Sequence, residues 1–265
     1  MPHTTPPPRR VSPRRWAAAT TAVLATAIAP ISGPLMLTGA AFAQAESGEA
    51  GEAGMIPQDT TAGFLAELGL FEAAHRIVGA LYARGDIDEA RDQLAGSHHA
   101  LYEDLADDLA SRQAPGFAAE TADFAQAVNT GASSEIVEAR LQNLLAAVEL
   151  ARLATTDSAY ERVMGLKLLL DVANADFSGG VDNGEILSDH EYRDAWGFVE
   201  TVRAGAQAMT LAPDAAQAQA GRDILAQLER IAPLFPDLQA TAAPGDPNLI
   251  AAAAGWVEII ALRLR

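Results

Sequence analysis

From Thr61 onward, apolar positions recur at spacings of three and four, the period of an amphipathic helix. Phe64, Leu65, Leu68, Leu70, Phe71, Ile77, Val78, Leu81 and Tyr82 mark the first helix, and Gly85 is placed to stop it. Asp86 then opens a shorter helix through Leu94, and Leu101, Leu105 and Leu109 predict a third from about His99 to Arg112. Ala114-Pro115-Gly116 ends it, and Phe117 to Asn129 reads as a fourth. Ser133 or Ser134 is placed to cap a long fifth helix through Leu153, with Ile136, Val137, Leu141, Leu144, Leu145, Val148 and Leu153 as its apolar stripe.

Further helices are predicted from about Ser158 to Phe177, Ser188 to Met209, Asp214 to Ile231 and Asn248 to Leu264. A Gly-rich turn, Ser178 to Gly184, and a connection holding Pro233, Pro236, Pro244 and Pro247 separate them. No stretch alternates as a strand would, so the expected fold is all-α, an antiparallel helical bundle of about eight to nine helices over residues 61–265. The last segment is apolar but short and carries Glu258 in its centre, which suits a packed helix better than a membrane span.

The first 43 residues follow another pattern. Arg9, Arg10, Arg14 and Arg15 precede an Ala- and Thr-rich apolar stretch that ends in Ala41-Phe42-Ala43, the layout of an export signal cleaved after Ala43. Pro30 and Pro34 argue against a permanent span. Arg14-Arg15 before a weakly apolar stretch resembles a twin-arginine signal, although Pro13 separates Ser12 from the pair, so both this and the general route stay open. Residues 44–60 begin with an acidic Gly/Ala/Glu run that has no side chains to bury and reads as a disordered linker. The location expected is periplasmic or secreted.

Composition narrows the chemistry. The 265 residues include no cysteine, which removes disulfides, thiolate zinc sites, iron–sulfur clusters and thiol nucleophiles. Formal charge is −17; four of the 18 basic residues lie in the signal and all 35 acidic ones follow it, so the exported part carries about −21. Such a surface repels nucleic acid and anionic membranes and favours cations or basic partners. No serine with an adjacent base, phosphate loop or catalytic acid pair stands out, so a non-catalytic protein is expected.

Several short motifs carry weighable chemistry. Glu72-x-x-His75 has the spacing of a di-iron carboxylate ligand pair, but no second copy occurs, and a boundary histidine with one hydrogen bond is the simpler reading. Asp182-Asn183-Gly184-Glu185-Ile186 is similar to the middle of a calcium loop, yet that register puts Gly179, Val181 and His190 where carboxylates are needed. Gly79 to Ala90 looks like the turn of a helical repeat, with no further copy at the required period. His98, His99 and Glu103 form a stronger cluster, because 99 and 103 share one helical face and Asp107 extends it by another turn. Imidazole with carboxylate suits iron, copper, zinc or nickel, while a solvated acidic face is the plainer alternative.

The segment from Leu170 to Phe198 joins an aromatic-acidic helix end, Leu170 to Phe177, to Val181-Asp182-Asn183-Gly184-Glu185-Ile186-Leu187 and to a Glu191-Tyr192-x-Asp194-x-x-x-Phe198 helix. This arrangement resembles the extracytoplasmic helical region that precedes the membrane part of bacterial iron permeases. The linker and the Leu68-Gly69-Leu70 to His75 helix are similar to exported helical proteins of proteobacteria with the same signature. Neither an Arg-Glu-x-x-Glu motif nor following membrane helices occur, so transport itself is not expected.

The resemblance implies an exported helical domain connected with iron or another divalent metal, and names no ligands. On physical grounds the turn gathers Asp176, Asp182, Glu185, Asp189, His190 and Glu191, whose repulsion a cation would relieve. Equally, Asp189 suits a helix amino terminus, and Glu191 with Tyr192 suits holding the hairpin together. The expectation is therefore a metal cation held by residues from His98, His99, Glu103, Asp176, Asp182 and Glu191. The alternative is a scaffold or interaction module with a periplasmic protein partner.

Overall fold

The computed structural model describes residues 55–156, 158–243 and 245–265; the stretch read as an export signal, residues 1–43, and the start of the stretch read as a disordered linker, residues 44–54, lie outside them. Nine α-helices occur among the described residues. They are α1 (Thr61–Arg84), α2 (Ile87–Gly96), α3 (Tyr102–Ser111), α4 (Ala118–Thr130), α5 (Ser134–Thr155), α6 (Ala159–Gly180), α7 (Asp189–Thr210), α8 (Ala215–Ile231) and α9 (Asn248–Leu262). None is long and apolar enough to cross a membrane.

The last four helices close a ring in which α6 packs on α7 and α9, and α8 packs on the same two. Against this bundle lies α1, whose remaining faces meet α2 and α5. The sequence of α1 explains the double contact. Ala62, Ala66, Leu70 and Ala73 form a small-residue stripe that joins the core of the four-helix bundle. Phe64, Leu68, Phe71, Ile77, Val78 and Leu81 fill a second core with α3, α4 and α5. Eighteen of its 24 residues are buried, so α1 is apolar nearly all round, as a helix between two cores must be.

Start signals act where hydroxyl or carboxylate side chains precede a helix. Thr60, Ser158, Ser188 and Asp214 accept from the backbone N–H three residues on, at 2.9, 3.3, 3.4 and 2.7 Å. Ser133 and Asp86 hold the equivalent positions without a capping bond, and the Asp86 carboxylate instead accepts from Arg84 Nε at 3.0 Å. Ile56 is buried in the core and Thr60 caps α1, so ordered packing begins before residue 61.

Three expectations change. The predicted helix over 99–112 is broken: His98–Ala100 is a single 3-10 turn and Leu101 is extended (φ −84°, ψ 109°) before α3 begins. On α5 the buried stripe is Val137, Leu141, Leu144, Val148 and Ala151, while Ile136 and Leu153 face outward. The Gly-rich turn contains a ribbon, β1 (Val181–Asp182) paired antiparallel with β2 (Glu185–Ile186). Asn183 and Gly184 both have positive φ (51° and 82°), the geometry an Asn-Gly hairpin turn requires. The Pro-rich connection ties down this hairpin, since Ala243 N donates to Gly184 O (3.0 Å) and Tyr192 Oη to Asp237 O (2.9 Å).

Candidate functional site

The break at Leu101 decides where the histidines go. The His98 and His99 rings are tilted 46° to each other with centroids 3.7 Å apart, and His99 makes an edge contact with Phe198 on α7 at 5.7 Å. Both line a cavity of about 220 Å³ between α1 and α3, with Glu67, Asp104 and Asp108 around the same opening. Glu103 does not line it, because His99 and Glu103 belong to different turns. Asp104 and Asp108, one turn apart on α3, take the place expected of Glu103 and Asp107.

Glu67 is the member that the sequence reading missed. It stands in the apolar run of α1, half-buried, and its Oε1 accepts from Gln58 Nε2 at 2.9 Å. Burial and the nearby Asp108 push its carboxyl up to about 7, against the opposing pull of Arg112. Arg112 is held over the Phe64 ring at 4.6 Å and donates to Thr60 O at 3.4 Å. The one signal available in the sequence was a lone acid between Leu65 and Leu68, at a helix position where apolar neighbours enforce partial burial.

The second candidate cluster is spread out. Asp176 is buried near the end of α6, Asp182 is exposed on β1, and Glu191 lies in the first turn of α7. The Glu191 carboxylate sits against Gly179: a Cβ added there would meet Glu191 Oε2 at 2.6 Å. His190 Nε2 approaches Asp194 Oδ2 at 3.4 Å, and Gln93 Nε2 donates to Asp194 Oδ1 at 3.1 Å. The Gln93 bond joins α2 to α7, while the His190–Asp194 pair lies within α7. Among the described residues, no three His, Asp or Glu side chains stand ready around one point for a metal ion.

Glu72 and His75 divide their roles differently from a di-iron pair. Burial opposes the Glu72 charge, but Arg152 and Arg76, donating at 2.6 and 2.8 Å, keep its carboxyl below the ordinary range. Both carboxylate oxygens are thus engaged by guanidinium groups. His75 is fully buried, not at the boundary. Its Nδ1 donates to Phe71 O at 2.8 Å, its ring lies 4.2 Å from Phe71 and 5.5 Å from Phe124, and Nε2 has no partner. Burial lowers its pKa to about 4, so the imidazole is neutral.

Tyr192 and Phe198, in the segment that resembles the permease region, are both buried in the bundle core. Comparison with curated proteins and with solved structures returns no match. Comparison with family models does: residues 153–260, which hold α6, α7, α8 and most of α9, match the iron permease-associated 4-helix bundle domain.

Proposed function

We propose that the chain is an exported helical protein of an iron-related periplasmic system and takes a divalent metal cation at the cavity between α1 and α3. The observation that carries this reading is the convergence of His98, His99, Glu67, Asp104 and Asp108 on one opening. Two imidazoles with carboxylates suit first-row divalent metals, and rotation of the exposed Asp104 and Asp108 side chains brings oxygen donors toward the rings. The acidic surface raises the local cation concentration. The matched bundle domain supports the connection with iron, and the arginine-led amino terminus supports export.

Metal analysis of protein recovered from an exporting host, followed by calorimetric titration with iron(II), copper(II), zinc and calcium, tests this reading. The expected result is one metal per chain, lost in His99→Ala and weakened at least about tenfold in Glu67→Gln. Asp182→Asn and Glu191→Gln are expected to retain it; loss in that pair instead moves the site to the α6–α7 turn. No binding at micromolar concentration removes the metal reading.

A scaffold or interaction module is the second reading, and the surface of α9 favours it. Trp256, Ile259 and Leu262 are 45%, 42% and 46% exposed at spacings of three, forming one apolar line along the helix. A photo-crosslinker at position 256 is expected to capture an exported protein in the producing cell. Replacing Ile259 and Leu262 with serine should abolish that capture without changing thermal stability.

A further inference from the structure

A second cavity, larger than the one beside the histidines and separate from it, lies where α1 and α5 meet α6 and α7. Its volume is about 410 Å³, within the size range of small-molecule pockets. The walls are interlocked: a Cβ on Gly69 would approach Leu169 Cδ2 to 3.0 Å, one on Gly165 would approach Leu65 Cβ to 2.9 Å, and one on Gly205 would approach Leu166 Cδ2 to 3.0 Å. Leucine seated on glycine at three places gives a wall that holds its shape before any ligand arrives.

Thr201 on α7 points to an occupant. Helical threonines commonly give the hydroxyl proton to the carbonyl one turn back, as Thr121, Thr130 and Thr155 do at 3.0, 2.8 and 2.9 Å. Thr201 lines the cavity, is 2% exposed, and its hydroxyl has no hydrogen-bond partner. That arrangement costs stability unless something else supplies the bond. At the rim, Leu211 and Leu153 are 85% and 50% exposed, so an apolar surface leads from solvent inward.

The charged members of the lining give the ligand its class by being taken. Arg152 is shared between Glu72 and Glu149, and Arg162 has an interaction partner of its own. An ion entering the cavity would therefore break an existing pair or stay unpaired, and either is costly where water is excluded. A neutral molecule meets no such penalty and gains from both the leucines and the open hydroxyl. We infer that the cavity binds an uncharged amphipathic molecule, its aliphatic part against Leu166, Leu169 and Met209 and its single hydroxyl or carbonyl oxygen hydrogen-bonded to Thr201 Oγ1.

Calorimetric titration of the full-length chain with 1-octanol, and with sodium octanoate as the charged molecule of the same length, tests the inference. Saturable one-site binding of octanol is expected, at least about tenfold tighter than octanoate. Ala208→Phe, at an exposed position on the lining, should block it. Thr201→Val should weaken octanol about fivefold yet raise the melting temperature of the unliganded chain, a split that a purely structural hydroxyl does not produce. Absence of saturable octanol binding, octanoate binding as tightly as octanol, or undiminished octanol affinity in Ala208→Phe or Thr201→Val would each overturn the assignment.

Discussion

Glu67 and His75, two turns apart on α1, are displaced from their ordinary titration ranges by the same cause with opposite consequences for pH. The Glu67 carboxyl keeps its proton in the fold up to about 7, whereas the unfolded chain releases it near 4.5. Its contribution is therefore complete below 4.5 and is lost as pH rises through 7. His75 resists protonation in the fold down to about 4, whereas the unfolded chain takes a proton near 6.5. Its neutral form favours the fold above 6.5, and the advantage disappears as pH falls toward 4, by roughly 3 kcal/mol in all.

Thermal melts across pH 4 to 8 separate the two groups. Glu67→Gln is expected to raise the melting temperature at pH 8, with the gain shrinking toward pH 4.5, because glutamine mimics the protonated acid. His75→Leu should flatten the acid-side loss of stability between 6.5 and 4. The sequence already marked His98 and His99, because adjacent histidines beside acids are visible in one dimension. Glu67 was not legible in that way: its neighbours in space, Asp108 and Arg112, are over 40 positions away in the chain.

At the scale of elements, the sequence was most readable where one helix face meets one core. The boundaries of α1, α6, α7 and α8 follow from Gly85 and from the caps Ser158, Ser188 and Asp214, whose chemistry is local. It was least readable where tertiary contact overrides period. Leu101, Leu105 and Leu109 fit one helix, yet Leu105 and Leu109 alone are buried and Leu101 is exposed at the break. The ribbon at Asn183-Gly184 was too short to show alternation, and the connection through Ala242 and Ala243 holds it.

Two glycines within helices are expected to respond oppositely to alanine. A Cβ at Gly221 would lie 2.6 Å from Ala206 O and 2.8 Å from Thr210 N, backbone atoms of α7 that have little room to give. Gly221→Ala should cost about 1–3 kcal/mol. A Cβ at Gly255 meets nothing within 4 Å, so Gly255→Ala in α9 should stabilise by up to about 1 kcal/mol. Denaturant titration of both variants distinguishes close helix approach from mere helix propensity.

For the whole molecule, the matched segment 153–260 accounts for only one of the two cores. Residues of α1 complete that core with Ala62, Ala66, Leu70 and Ala73, and the bulky side chains of the same helix build the other. Neither core is whole without α1, so scanning calorimetry should record one unfolding transition with equal calorimetric and van't Hoff enthalpies. Two resolved transitions would show that the halves melt independently.

The two-sided burial of α1 also governs how freely the protein can vary. Most helices here have a wet side on which substitutions pass unnoticed, as α9 has at Ala251, Ala252 and Gly255. In contrast, α1 has almost no such side: enlarging a residue on its alanine stripe wedges open the bundle, and shrinking one on its aromatic stripe hollows out the opposite core. A saturation mutational scan should therefore find α1 intolerant around most of its circumference, marking by genetics alone the helix that joins the two halves.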